Sequence, residues 1–148
     1  MGVPLRGNLY FYQSDVEQFI ATKAAAYTMV EYMMRKVGLE MEDISGFYLA
    51  GAFGTHIKIE SGVTIGLYPD LPREQIRCAG NSSLLGARML LLNREKLQHV
   101  EKFLAYTDYI QFGEVANFVD IMSAAQGIPH LDSSRYPSVA ARKAARKK

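Results

Sequence analysis

Two glycine turns hold the residues best suited to chemistry. In FYLAGAFGTHI, residues 47–57, an apolar run with strand character ends in Gly51, Ala52, Phe53 and Gly54, with Thr55 and His56 next. In IRCAGNSS a second apolar run ends in a glycine and opens onto Asn81, Ser82 and Ser83. Without a side chain, glycine lets backbone approach a nucleotide ring or a phosphate, and open α/β folds bind ligands at the carboxyl ends of their strands. A helix that starts at Asn81 or Ser82 would also turn its first amides toward an anion. A lone Gly-x-x-Gly turn often does no more than reverse the chain. Two at one end of one sheet predict a cleft.

The other candidates are sparser. Lys23 falls within the apolar stripe of a helix, between Ile20 and Tyr27, as either a lysine whose stem packs while its amine reaches water or a cation aimed into the cleft. His56, His99 and His130 lack metal-ligand spacing, and only His56 adjoins the cleft, as a ligand-polarising group or as a hydrogen-bonded turn residue. Cys78 is the single cysteine, which excludes an internal disulfide and a cysteine-held cluster within this chain. The serines cluster at helix starts, where capping explains them, so no Ser-His-Asp arrangement emerges.

The elements that must position these residues follow from hydrophobic period and punctuation. Ser14 or Asp15 caps a long amphipathic helix with Val16, Phe19, Ile20, Tyr27, Val30, Met34 and Val37 on its apolar stripe, ending at Gly38. FYLAG and IRCAG read as buried strands, separated by a short helix near Ser61–Leu67 that Pro69 and Pro72 close off. NSSLLGARMLLL is the helix after the second strand, and Gly86 within it costs about 1 kcal/mol against alanine, so close packing against another element is expected there. Strand, crossover, strand and helix in that order predict a parallel α/β layer. Farther on, the expectations are a helix near Arg94–Tyr106, an edge strand TDYIQF, a helix over Val115–Ala125 and a closing loop. Residues 1–13 read as an extended entry segment, 14–130 as one α/β domain, and 131–148 as a loop with a disordered basic tail.

Composition narrows the class. With 148 residues, 49% of them hydrophobic, the chain holds one core. Its net charge of +2 comes largely from the terminal ARKAARKK, which argues against nucleic acid as a partner. No apolar run approaches the roughly 18 residues of a membrane span, and the N-terminus lacks the order of a signal peptide, so a cytoplasmic protein without membrane contact is expected.

QSDVEQFIATKAAAYTMVEYMM, FYLAGAFGTHIKIESGVTIGLYPDLP and CAGNSSLLGARMLL, in this order and spacing, resemble the C-terminal domain of the reductive activators of corrinoid proteins and corrinoid methyltransferases, over about residues 13–130. The resemblance implies one lobe of an actin-like (ribonuclease H-like) ATPase fold, α/β with a short parallel sheet and flanking helices, from the acetate-kinase, sugar-kinase, heat-shock-protein and actin superfamily. FYLAGAFG is similar to the adenosine motif of that superfamily. By that similarity Gly51, Ala52, Phe53 and Gly54 line adenine and ribose, Thr55 and Asn81 extend the cofactor-binding set, and Lys23 brings a cation to it. GNSSLLGA is then a connecting helix near the hinge between lobes.

The implied activity is ATP-dependent reduction of an inactivated Co(II) corrinoid to Co(I), with Mg on the ATP and electrons entering through a [2Fe-2S] cluster in a domain absent from this chain. The implied partners are a corrinoid protein or corrinoid methyltransferase and the missing N-terminal domains. No Asp-x-Gly phosphate motif follows a strand here, so the resemblance implies a fragment with half an ATP site, inactive by itself. The alternative is a docking or dimerisation module that binds the corrinoid protein without nucleotide.

Overall fold

The computed structural model describes residues 2–111 and 117–146. An antiparallel hairpin, β1 (Val3–Arg6) and β2 (Leu9–Phe11), precedes the long helix α1 (Gln13–Lys36). The entry segment therefore folds back on itself at Gly7, whose φ of 59° suits a tight reversal. Helix α1 starts one residue before the expected cap. Asp15 instead accepts from the Tyr12 amide at 2.8 Å, tying the helix start to the hairpin.

Two parallel strands form the sheet, β3 (Phe47–Ala50) and β4 (Ile76–Gly80), with Phe47 opposite Ile76 and Ala50 opposite Gly80. The crossover contains α2 (Gly51–His56) and α3 (Ile59–Ile65). The first glycine turn is thus the start of a short helix. Helices α4 (Ser82–Leu92) and α5 (Lys96–Leu104) follow β4, and α6 (Phe118–Ala125) and α7 (Pro137–Ala145) complete the chain. Residues 107–111 of the expected edge strand have no strand partner, and Phe112 lies outside the described residues, as do Val115 and Ala116 of the expected helix start.

The core joins Ala24 and Tyr27 of α1 to Val63, Tyr68, Leu71, Ile76, Ala125, Tyr136 and Val139. The face of α1 that is fully buried runs through Lys23, Ala24, Tyr27, Thr28 and Glu31, a helical stripe rotated from the apolar one. Phe19 and Val37 stay exposed at 37% and 66%. The rotation has a polar cause, because the segment packed on α1 presents carbonyls and an arginine that Lys23 and Glu31 satisfy.

The basic tail corrects the sequence reading of 131–148. Residues 137–145 form α7, and Tyr136 and Val139 are only 1% and 2% exposed. The Tyr136 hydroxyl donates to the Tyr68 carbonyl at 3.2 Å. The Ser138 amide and hydroxyl donate to the two oxygens of Asp70 at 2.8 and 2.5 Å. Arg142 pairs with Glu60 and donates to Thr64 at 3.1 Å. Two apolar anchors and a set of polar staples hold the helix down, where hydrophobic period alone left it loose.

Candidate functional site

The carboxyl ends of β3 and β4 meet where Ala50 pairs with Gly80. Gly80, the last residue of β4, and Gly51, the first residue past β3, have φ of 62° and 79°, in the left-handed region that favours glycine. An added Cβ at either would meet nothing within 4 Å. Both glycines therefore shape the chain while leaving bare backbone open above the sheet end. Helix α4 begins beside them, with the Asn81 side chain accepting from the Leu84 amide at 2.9 Å as the expected cap.

Gly54 behaves differently. It is buried inside α2, and a Cβ there would lie 2.8 Å from Leu49 Cβ and 2.9 Å from the Leu49 carbonyl carbon and oxygen. Its missing side chain lets α2 lie directly against β3, so its role is close packing within the protein. Its carbonyl accepts from the Cys78 thiol at 2.7 Å, and the Thr55 hydroxyl donates to the Gly51 carbonyl at 3.0 Å. The Tyr68 hydroxyl donates to the Phe53 carbonyl at 3.3 Å, and burial raises the pKa of that phenol above the usual 10.0. These bonds brace α2 from beneath and leave the Phe53 ring 66% exposed at the rim.

The structure thus brings Gly51, Ala52, Phe53, Gly54, Thr55 and Asn81 to one sheet end. Lys23 is elsewhere. It is fully buried, and its ammonium donates to the carbonyls of Gly127 and, at 2.6 Å, Pro129. Neither a water-reaching amine nor a cation at the glycine turns describes that position. Desolvation lowers its pKa to about 8.

His56 ends α2 and is exposed, whereas His130 is buried against Tyr27, with ring centroids 5.2 Å apart. Glu31 and His130 are buried titratable residues that the sequence did not mark as special. The one available signal was a glutamate at helical spacing from Tyr27, on the same side of α1 as Lys23.

Gly86 has nothing within 4 Å of an added Cβ, so the expected close packing around α4 is not present among the described residues. Helices α4 and α5 have no buried residue. Leu84, Leu85, Leu91, Leu92, Phe103 and Leu104 are 54–85% exposed. A helix as apolar as α4 on all sides is the kind that other protein normally covers. Among the described residues, no helix is long and apolar enough to cross a membrane, and no group of three or more metal-ligating side chains is present.

Comparison with known proteins identifies relatives of the chain. The corrinoid activation enzyme RamQ of Eubacterium limosum is 30% identical over 108 residues, which are 73% of this chain and 18% of the enzyme. A solved structure of a reductive activator for corrinoid, iron-sulfur protein superposes with a TM-score of 0.82 at 35% identity, over 88% of this chain and 21% of that one. The chain therefore spans about a fifth of the length of these relatives. The fold is one lobe of the actin-like type, a short parallel sheet with flanking helices. The sequence model for the C-terminal domain of RACo, the ASKHA domain, matches residues 4–140, and this chain belongs to that family.

Proposed function

We propose that the chain is the nucleotide-binding lobe of an ATP-dependent reductive activator that returns an inactivated corrinoid from Co(II) to Co(I). The observation that carries this reading is the pair of left-handed glycines, Gly51 and Gly80, with open space above adjacent strand ends. Bare backbone there suits the flat face of a nucleoside, and the first amides of α4 suit the negative charge that follows it. Phe53 offers an apolar ring at the rim. Within this reading Gly51, Ala52, Phe53, Thr55 and Asn81 contact the nucleotide, Gly54 supports them from behind, and Lys23 contributes to the fold alone.

In the same reading the acidic ligands for Mg and the [2Fe-2S] cluster lie in other domains of a longer polypeptide. In that protein bound ATP would favour closure of the two lobes, and the cluster would supply the electron that reduces the corrinoid. The partner is a corrinoid protein or corrinoid methyltransferase. The names of the relatives, both of which act on corrinoid systems, support that assignment. The uncovered apolar surface of α4 and α5 supports a longer parent protein, because such a surface is costly to leave in water.

Amide hydrogen exchange of the longer activator, with and without Mg-ATP, tests the reading. Slowed exchange at 51–55 and 80–83 is expected. ATP binding that leaves both turns unprotected would overturn it.

A further inference from the structure

A second pair of buried groups lies between α1 and the segment that leads into α7. His130 is 8% exposed, and its Nδ1 accepts from the Asp132 amide at 3.0 Å. That bond requires a lone pair on Nδ1, so the neutral ring carries its proton on Nε2. Nε2 is buried without a hydrogen-bond partner among the described residues. Glu31 is 5% exposed, and its Oε1 receives Arg35 and, at 3.1 Å, Arg135. Its Oε2 is likewise buried and unpartnered.

Both residues line one cavity of about 430 Å³, together with Arg35, Asp120, Asp132 and Arg135. A buried donor or acceptor left unmatched costs about 1–3 kcal/mol. Here the two unmatched atoms are a donor and an acceptor that suit each other.

We propose that His130 and Glu31 form a proton-driven latch between α1 and residues 127–136. With His130 neutral, the ring holds the Asp132 amide. When Nδ1 takes a proton from solvent it can no longer accept, the Asp132 bond breaks, and the imidazolium turns its Nε2–H to Glu31 Oε2. The moving segment also carries the Gly127 and Pro129 carbonyls that hold Lys23, and Arg135, which holds Glu31 and donates to the Tyr27 hydroxyl at 3.3 Å. Its motion is therefore passed to α1 and to the start of α7.

The charged and titratable groups around His130 set the operating range. Tyr27 and Glu31 face it from α1 with Arg35 across the shared cavity, Asp120 lines that cavity from α6, and Asp132, Arg135 and Tyr136 face it from its own segment, while the Lys23 ammonium is held by the neighbouring Pro129 carbonyl. Burial is the largest influence and lowers the pKa below 6.5. Arg135 acts in the same direction, against smaller opposing effects of Glu31 and Asp132. The neutral arrangement thus predominates above pH 6.5 and is lost only as the pH falls through the lowered pKa of the buried ring.

The test is an NMR titration of the whole chain from pH 7.5 to 5, following the His130 ring nitrogens and the exchange of the Asp132 amide. Above pH 6.5 the ring should show a protonated Nε2 and a bare Nδ1. As the ring titrates, Asp132 exchange, corrected for intrinsic rate, should rise about tenfold or more. His130→Asn keeps an acceptor near the Asp132 amide and cannot titrate, so its Asp132 exchange should be independent of pH. In Glu31→Gln the ring should titrate at lower pH. Asp132 protection that stays constant while His130 titrates in the wild-type chain would overturn the latch. So would an unchanged pH response in His130→Asn. The wild-type measurement needs no variant, and none of these readouts involves nucleotide.

Discussion

Substituting Lys23 with methionine separates a buried cation from a ligand-binding one. The change keeps most of the stem, removes the ammonium, and leaves the Gly127 and Pro129 carbonyls without their donor. Leaving the buried Pro129 carbonyl unmatched costs about 1–3 kcal/mol, and the part-buried Gly127 carbonyl adds less because water can reach it. Against that, the ammonium itself is held at a pKa of about 8 against 10.5 in an exposed lysine, so its ionised form costs about 3 kcal/mol at neutral pH. Removing it relieves that cost, the two effects nearly offset, and Lys23→Met should shift stability at pH 7 by about 2 kcal/mol or less in either direction.

The pH dependence is the sharper observable. Between pH 8 and 10.5 the unfolded chain holds the lysine proton while the folded chain has released it, so wild-type stability rises with pH. From pH 7 to 9.5 the gain is about 2 kcal/mol, and Lys23→Met cannot share it. Buried tyrosines oppose this trend in both proteins, because burial raises the pKa values of Tyr27, Tyr68 and Tyr136. Their effect cancels in the difference. Urea unfolding followed by circular dichroism at pH 7 and 9.5 reads that difference directly. Parallel stability curves for the two proteins would refute the reasoning, and so would a loss of ATP affinity in the longer activator at unchanged stability.

Three further outcomes are expected. On the proposed reading the isolated chain supplies one wall of the ATP cleft, so it should show no ATP turnover above a protein-free blank in a phosphate-release assay, most of the phosphate charge being left uncompensated. Gly54→Ala should cost about 1–3 kcal/mol in urea unfolding, since its Cβ would press on the Leu49 backbone, which cannot move aside as a side chain can. Leu91→Glu should change the stability of the isolated chain by less than about 0.5 kcal/mol, Leu91 being 85% exposed. The same change in the longer activator should lower its melting temperature if α4 is covered there, and an equal melting temperature would count against that cover.

Local physics made part of this protein legible in its sequence. The two strands with a glycine at the end of each, the Asn81 cap and the order strand, crossover, strand and helix are set by neighbours a few residues apart and were readable. The first glycine stretch, by contrast, proved to be the short helix α2, and the strands expected to be buried are largely exposed, with only Ile76 fully buried. The tertiary structure alone decided which glycine does what. Gly51 and Gly80 face open space, while Gly54 lies against Leu49, and no pattern in AGAFG distinguishes them. It also decided which side of α1 is buried. Lys23 finds its carbonyls 104 and 106 residues away, and Glu31 meets Arg135 across a similar distance in sequence, so a helical wheel shows the charge without its partner. Helix α7 has the same explanation. Its sequence offers two apolar anchors, Tyr136 and Val139, and the Asp70, Glu60 and Thr64 groups that add to its attachment become partners only after the chain has folded back on itself.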